Sequence, residues 1–263
     1  MRLCQRILSM FVFGAVSAGA MAGSLPVVQF IATGGTIAMK VDPVTKGVVP
    51  AISGDDLMQT VPDAARYATI EVNNFSSMSA NYVEPKWWSR LTKAVDDALA
   101  RPEVAGVVIA HGTDTMEETA YWLDLTVKSD KPVIMIGAQR NASSPDFDGP
   151  RNLLNAIRIA TTPEAKGMGV MVAMNNQINA ARTATKTHTA DVETFKSGDF
   201  GFLGEVWEDK VQFSRAPLRR QHIDIGSGEM PRVEILPMFG GADGALLRYA
   251  VDQGAKGIVV QAV

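Results

Sequence analysis

Apolar runs of strand length alternate with amphipathic stretches of helical length through the first two-thirds of the chain. Residues 27–33 (VVQFIAT), 107–110 (VVIA), 132–138 (PVIMIGA) and 167–175 (GMGVMVAMN) are near-continuous hydrophobic runs. Such runs are expected of strands covered on both faces, as in a parallel sheet. Residues 68–75 alternate and read as a further strand. Between them lie helical patterns. Ser53 caps a short helix, with Asp56 three residues on, that runs to about Thr60. Pro85 opens a helix to about Ala100, with Trp88, Leu91, Val95 and Leu99 as its stripe. Thr119, Ala120, Leu123 and Leu125 mark the apolar side of another, and residues 151–160 form a fourth. This βαβ rhythm predicts an α/β fold with a mostly parallel, doubly wound sheet.

Elsewhere the pattern breaks. Residues 39–52 lack periodicity and hold Asp42-Pro43, Gly47 and Pro50, so a mobile loop is expected there. From Ile178 the chain turns Thr-rich and poor in long apolar runs, which suggests extended segments and loops beside the sheet. Residues 212–228 are polar and irregular. A new strand (233–237), helix (242–253) and strand (257–263) follow, as the incomplete start of a second, smaller α/β domain. The expected division is a signal peptide at 1–22, an N-terminal catalytic α/β domain at 23–211, a linker at 212–230 and a partial C-terminal α/β domain at 231–263.

The first 22 residues stand apart. Arg2 and Arg6 precede an apolar run, and Ala20-Met21-Ala22 is a small-x-small cleavage site. That is the pattern of a secretory signal peptide, with an apolar core too short for a comfortable membrane span. A periplasmic or secreted protein, free of the membrane after cleavage, is expected. Cleavage would take Cys4, the only cysteine, and leave no disulfide, thiol nucleophile or thiolate ligand. With 46% hydrophobic and 20% charged residues and a net charge of −3, the chain is of ordinary globular composition. It has no basic surface that would suggest nucleic acid.

The chemistry gathers in turns that follow strands. Gly34-Gly35-Thr36 follows the first strand, and His111-Gly112-Thr113-Asp114-Thr115 follows the run at 107–110. In open α/β sheets, ligands bind at the carboxyl ends of strands. Neither turn has P-loop or dinucleotide spacing, so no cofactor is expected. The histidines at 111, 188 and 222 fit no metal spacing, and no metal is expected. His111 reads as a packed structural residue. Asp114 or Thr115 would cap the helix that follows, with Glu117 or Glu118 in its first turn. Asp114 alone does not supply the carboxylate pair of a glycosidase. A threonine nucleophile needs activation by a lysine or a carboxylate. Two threonines, one Asp and Lys186 would provide the parts, although sequence alone does not bring Lys186 to them.

These residues also carry a resemblance. The chain resembles the bacterial type II L-asparaginases and glutaminase-asparaginases at residues 30–38 (FIATGGTIA) and 111–120 (HGTDTMEETA). Further matches are 131–133 (KPV), 137–140 (GAQR), 148–153 (DGPRNL), 185–187 (TKT) and 191–197 (DVETFKS). The resemblance implies hydrolysis of a side-chain amide, that of asparagine or glutamine, through a covalent acyl-enzyme. It implies Thr36 as nucleophile and a Thr113–Lys186–Asp114 relay. It further implies that Asp114 holds the substrate's α-ammonium and that Ala138 touches substrate through its backbone. The resemblance also implies that Ser79 binds the substrate carboxylate, with Ser76 and Ser77 as alternative registers. A homotetramer is implied for the complete enzyme, with an Asn and a Glu lent to each site by a neighbour's second domain. This chain ends before the turn that carries that Asn, and residues 39–52 lack the family's lid tyrosine. A catalytically impaired fragment, or a non-catalytic periplasmic amino-acid binder, is therefore the alternative. A tRNA-dependent amidotransferase is disfavoured by the signal peptide and the acidic balance.

Overall fold

The computed structural model describes residues 24–218, 221–226 and 230–262. The signal peptide expected at 1–22 lies outside them. The strands are β1 (Val27–Gly34), β2 (Met39–Val41), β3 (Val48–Pro50), β4 (Thr69–Met78), β5 (Val104–Ala110), β6 (Val133–Ile136) and β7 (Val170–Met174). They continue with β8 (Gln177–Ala180), β9 (Thr185–Lys186), β10 (Phe195–Lys196), β11 (Gly204–Trp207), β12 (Lys210–Phe213), β13 (Val233–Pro237) and β14 (Gly257–Gln261). The α-helices are α1 (Gly54–Gln59), α2 (Pro85–Leu99), α3 (Met116–Thr126), α4 (Gly149–Thr161) and α5 (Ala245–Asp252).

Eight strands form one mixed sheet in the order β12-β11-β8-β7-β6-β5-β1-β4. Strands β4, β1, β5, β6 and β7 are parallel, while β8, β11 and β12 continue the sheet antiparallel. The apolar runs are continuous because each strand fills two layers. Val28, Phe30, Val108, Ile134 and Met171 pack with Leu57 of α1 and Leu153 and Ile157 of α4. Their alternates Ile31, Val107, Ile109, Met135 and Val172 pack with Leu91 and Val95 of α2 and Met116 and Leu123 of α3. Full burial of an aliphatic side chain contributes roughly 1.5–3 kcal/mol, so this double layer dominates the stability.

One expectation is corrected. The stretch 39–52 is not featureless: β2 and β3 pair as an antiparallel hairpin. Asp42 turns it, accepting from Val44 N (3.0 Å) and Thr45 N (2.6 Å), and these bonds lower its carboxyl pKa. The hairpin is mostly exposed on both faces, so no face has to be apolar and the pattern is silent. The Thr-rich segment runs beside the sheet as expected, with β9 and β10 paired apart from it, while β8 before it and β11 after it extend the sheet and β12 forms its edge.

The chain passes from β1 to β4 on one side and then to β5 on the other. The sheet's topological switch point therefore lies between β1 and β5. Away from the sheet, β13 and β14 pair in parallel, among the described residues only with each other, with α5 between them in sequence.

Candidate active site

Four turns meet at the switch point because glycines let their backbones touch. A Cβ on Gly35 would lie 2.2 Å from the Gly112 Cα, and Gly35 has φ +81°. One on Gly112 would lie 2.6 Å from the Ala80 Cβ, and one on Gly137 would lie 2.9 Å from the Thr113 Cγ2. The turns after β1, β4, β5 and β6 are thus pressed together at one end of the sheet. Thr33 Oγ1 donates to Ala110 O (2.8 Å), which ties the ends of β1 and β5.

Within this assembly Lys186 reaches the turn after β5. Its Nζ donates to Thr113 Oγ1 at 2.9 Å and to Asp114 Oδ1 at 2.6 Å. The lysine side chain is 13% exposed and the Asp114 side chain 64% exposed. Solvent therefore screens the ion pair from the Asp114 side, and its worth is positional more than energetic. Three sequence-predicted residues are together. The strand pair β9–β10 presents the lysine, and Lys186 N donates to the Glu117 carboxylate at the start of α3. The Thr-rich texture explains the loop beyond. Thr187 Oγ1 donates to Thr194 O (2.8 Å), and Thr194 Oγ1 accepts from His188 N (2.8 Å). An open polar cleft of about 260 Å³ faces Asp114, Glu117, Lys186 and Thr187–Thr189.

Thr36 begins a single 3₁₀ turn, Thr36–Ala38, directly after Gly35. Its hydroxyl has no hydrogen-bond partner among the described residues. The three candidate serines differ in engagement. Ser76 Oγ donates to Thr33 O (2.9 Å) and Ser79 Oγ to Asn81 Oδ1 (2.8 Å). Ser77 is exposed, and no bond among the described residues engages its hydroxyl. Ala138, whole residue included, is fully buried in the core.

The expected capping at the start of α3 does not form. Thr115 holds the N-cap position without a side-chain cap bond. Its hydroxyl donates instead to Ala80 O (3.1 Å), and Asp114 turns to Lys186. Both groups that suit a cap hold neighbouring turns together.

His111 is structural, in a defined tautomer. Nδ1 lies 2.7 Å from Gly112 O, which can only accept, so Nδ1 carries the proton. Thr119 Oγ1 then donates to Nε2 (3.2 Å) and accepts from Trp88 Nε1 (2.9 Å). Burial pushes the imidazole down to about 4, against the opposing pull of the Gly112 carbonyl. The ring is neutral and holds the carbonyl that precedes Thr113. No group of three or more metal-ligating side chains occurs among the described residues.

Sequence reasoning overlooked Gln139. It stands in the 137–140 motif, directly after a buried strand, where a half-buried polar side chain is a signal in itself. It accepts from Thr113 Oγ1 at 2.9 Å.

Comparison with known proteins places this geometry. The family described as "Asparaginase, N-terminal" matches residues 27–219. The chain is 37% identical over 243 residues to L-asparaginase 2 of Bacillus subtilis, covering 89% of this chain and 64% of that protein. It is 38% identical to L-asparaginase 2 of Escherichia coli, covering 90% and 69%. A crystal structure of a probable cytoplasmic L-asparaginase from Campylobacter jejuni superposes with a TM-score of 0.82 at 37% identity, covering 89% of this chain and 73% of that one. The chain thus spans about two-thirds of the length of the curated relatives it matches.

Proposed function

The chain belongs to the asparaginase family, and on that premise we propose that it hydrolyses L-asparagine, with L-glutamine as a second substrate, to the acidic amino acid and ammonia. The observation that carries this reading is the placement of Lys186 Nζ on both Thr113 and Asp114. The Gly35–Gly112 contact holds the Thr36 turn against them.

Thr36 Oγ1 adds to the side-chain carbonyl carbon and gives up its proton. The carbonyl electron pair moves onto oxygen, where backbone N–H groups of the turns stabilise it. Collapse breaks the C–N bond; the nitrogen takes a proton and leaves as ammonia, and the acyl group remains on Thr36 as an ester. Water adds to the ester, the C–Oγ1 bond breaks, and Thr36 regains its proton. Thr113 and Lys186 carry protons between these steps. Asp114 orients Lys186 and meets the substrate α-ammonium, a serine of the 76–79 turn takes the α-carboxylate, and the Ala138 backbone lines the site. The N-terminal unit (23–211) carries this chemistry, with a linker at 212–230 and a further α/β unit from 231. Export to the periplasm and assembly into a homo-oligomer belong to the same reading.

A second reading rests on the chain's span of its relatives, 64% in one case: a fragment or amino-acid binder that holds ligand without turnover. Ammonia release from asparagine by the purified chain tests both. If wild-type and Thr36→Ala proteins bind asparagine alike and neither releases ammonia, the hydrolase reading is wrong.

A further inference from the structure

We propose that Gln139 is a positioning residue that fixes the proton of the Thr113 hydroxyl and straps Thr113 to the loop 188–191. The inference rests on the hydrolase reading for its kinetic consequence and on geometry alone for its structural one. Gln139 follows β6 by three residues, and its backbone is itself clamped: its N–H donates to the Asp148 carboxylate at 3.1 Å, as does Arg140 N at 2.9 Å. The side chain then spans the gap between two elements far apart in sequence.

Its amide has only one sensible orientation. Nε2 faces three carbonyl oxygens, those of Asp191 (3.1 Å), Thr189 (3.3 Å) and, more weakly, His188 (3.5 Å). Carbonyls only accept, so the NH₂ end must lie there; the reverse orientation would set oxygen against three oxygens. Oε1 therefore faces Thr113, and an amide oxygen only accepts. The Thr113 proton is thus committed to Gln139.

The remaining valences of that hydroxyl follow. One lone pair accepts from Lys186 Nζ, and one lone pair is left. Before the proton relay runs, Thr113 therefore meets an incoming substrate as a hydrogen-bond acceptor. Without Gln139 the hydroxyl is free to rotate, and its proton can turn into the cleft, where it competes with the acceptor role. The same loss removes one of the two ties, among the described residues, between the loop that follows Lys186 and the turn after β6, leaving the bond from Arg140 Nη1 to Ala190 O.

Two variants separate the ends of this strap. Gln139→Met keeps the length and removes both the acceptor and the donor. Gln139→Glu keeps an acceptor for Thr113 and, as a carboxylate, removes the donor end and sets oxygen against the loop carbonyls. Amide hydrogen exchange over residues 187–194 is read together with asparagine-dependent ammonia release by the full chain. The expected result for Gln139→Met is exchange at least about tenfold faster across 188–191, kcat lowered about tenfold, and KM within about twofold of wild type. Gln139→Glu is expected to show the same faster exchange while recovering most of kcat, a rescue that a merely structural role would not produce. Unchanged exchange in Gln139→Met overturns the strap, and a Gln139→Glu enzyme as slow as Gln139→Met overturns the proton assignment. A wild-type chain that releases no ammonia sinks the hydrolase reading instead, and hydrogen exchange still decides the strap.

Discussion

Strands β5 and β14 are built from the same residues and live in different surroundings. Both are parallel, both are rich in Val and Ile, and each is linked to a helix in a βα unit. Residues Gly106–Ala110 of β5 are buried, between α4 on one side and α2 and α3 on the other. In β14, Val259 is 51% exposed, and Ile235 on its partner β13 is 62% exposed. Two strands and α5 leave much apolar surface facing solvent, since a parallel sheet is covered only when helices lie on both faces. An apolar strand pattern thus predicts the element but not its burial, which depends on how many layers surround it.

Substitutions paired across the two regions test this contrast. The largest effect is expected at the site: Lys186→Met should lower kcat for ammonia release by about 10³-fold, within the range for loss of a proton-transfer group. Lys256→Met, in the exposed unit, should leave kcat within about twofold. Equal losses would show that the lysine substitution acts through general stability.

Glycine positions sharpen the comparison next. Gly35 and Gly244 both have positive φ, +81° and +77°, but with ψ −179° and 9° only Gly244 is left-handed helical. An alanine at 244 would find Arg248 Nη1 no nearer than 3.6 Å and should cost only the backbone penalty, about 1–2 kcal/mol. At 35 it also drives a methyl into Gly112, so unfolding in urea should register a loss of about 4–5 kcal/mol or more. Ile109→Ala should cost about 2–5 kcal/mol by the same measurement, whereas Val259→Ala should stay within about 0.5 kcal/mol. A large loss at Val259 would mean that the outer unit is covered in solution, by self-association for example, which sedimentation would detect.

The last prediction concerns acid. His111 is held near pKa 4 in the folded chain, against an ordinary 6.5. The unfolded chain therefore binds the proton more tightly. The stability that neutral His111 contributes is complete above about pH 6.5 and is lost as pH falls towards 4, by on the order of 3 kcal/mol. His111→Gln should flatten this part of the urea-stability curve, measured from about pH 7 to 4. An unchanged slope would place the acid sensitivity elsewhere.

The same physics decides what was legible in the sequence. Strands β1, β5, β6 and β7 were readable because two buried faces force continuous apolar runs. Strand β11 was not: it is four residues long, and Glu205 and Trp207 alternate outward. The hairpin β2–β3 has no buried face to announce it. The capping box of Ser53 was readable because it is local, with Ser53 Oγ accepting from Asp56 N at 3.1 Å. The diversion of Thr115 to Ala80 was not, because the partner lies 35 positions away. Thr36, Thr113, Asp114 and Lys186 were named through a resemblance. Spacing alone does not join Lys186 to a threonine 73 positions earlier, and Gln139 was passed over because its partners are Thr113, 26 positions before it, and the loop some 50 positions after it.

The contact between Gly35 and Gly112 has a consequence for how this site can change. Two main chains meet there with no side chain between them, a joint with zero clearance. No substitution at either position can enlarge or narrow the site by degrees, because even a methyl group does not fit. Selection, natural or engineered, has only the rim to work with: the β2–β3 hairpin, the serine turn at 76–79 and the Gln139 strap. Variants that shift preference between a shorter and a longer amide should therefore accumulate around the centre, while the centre itself stays constant.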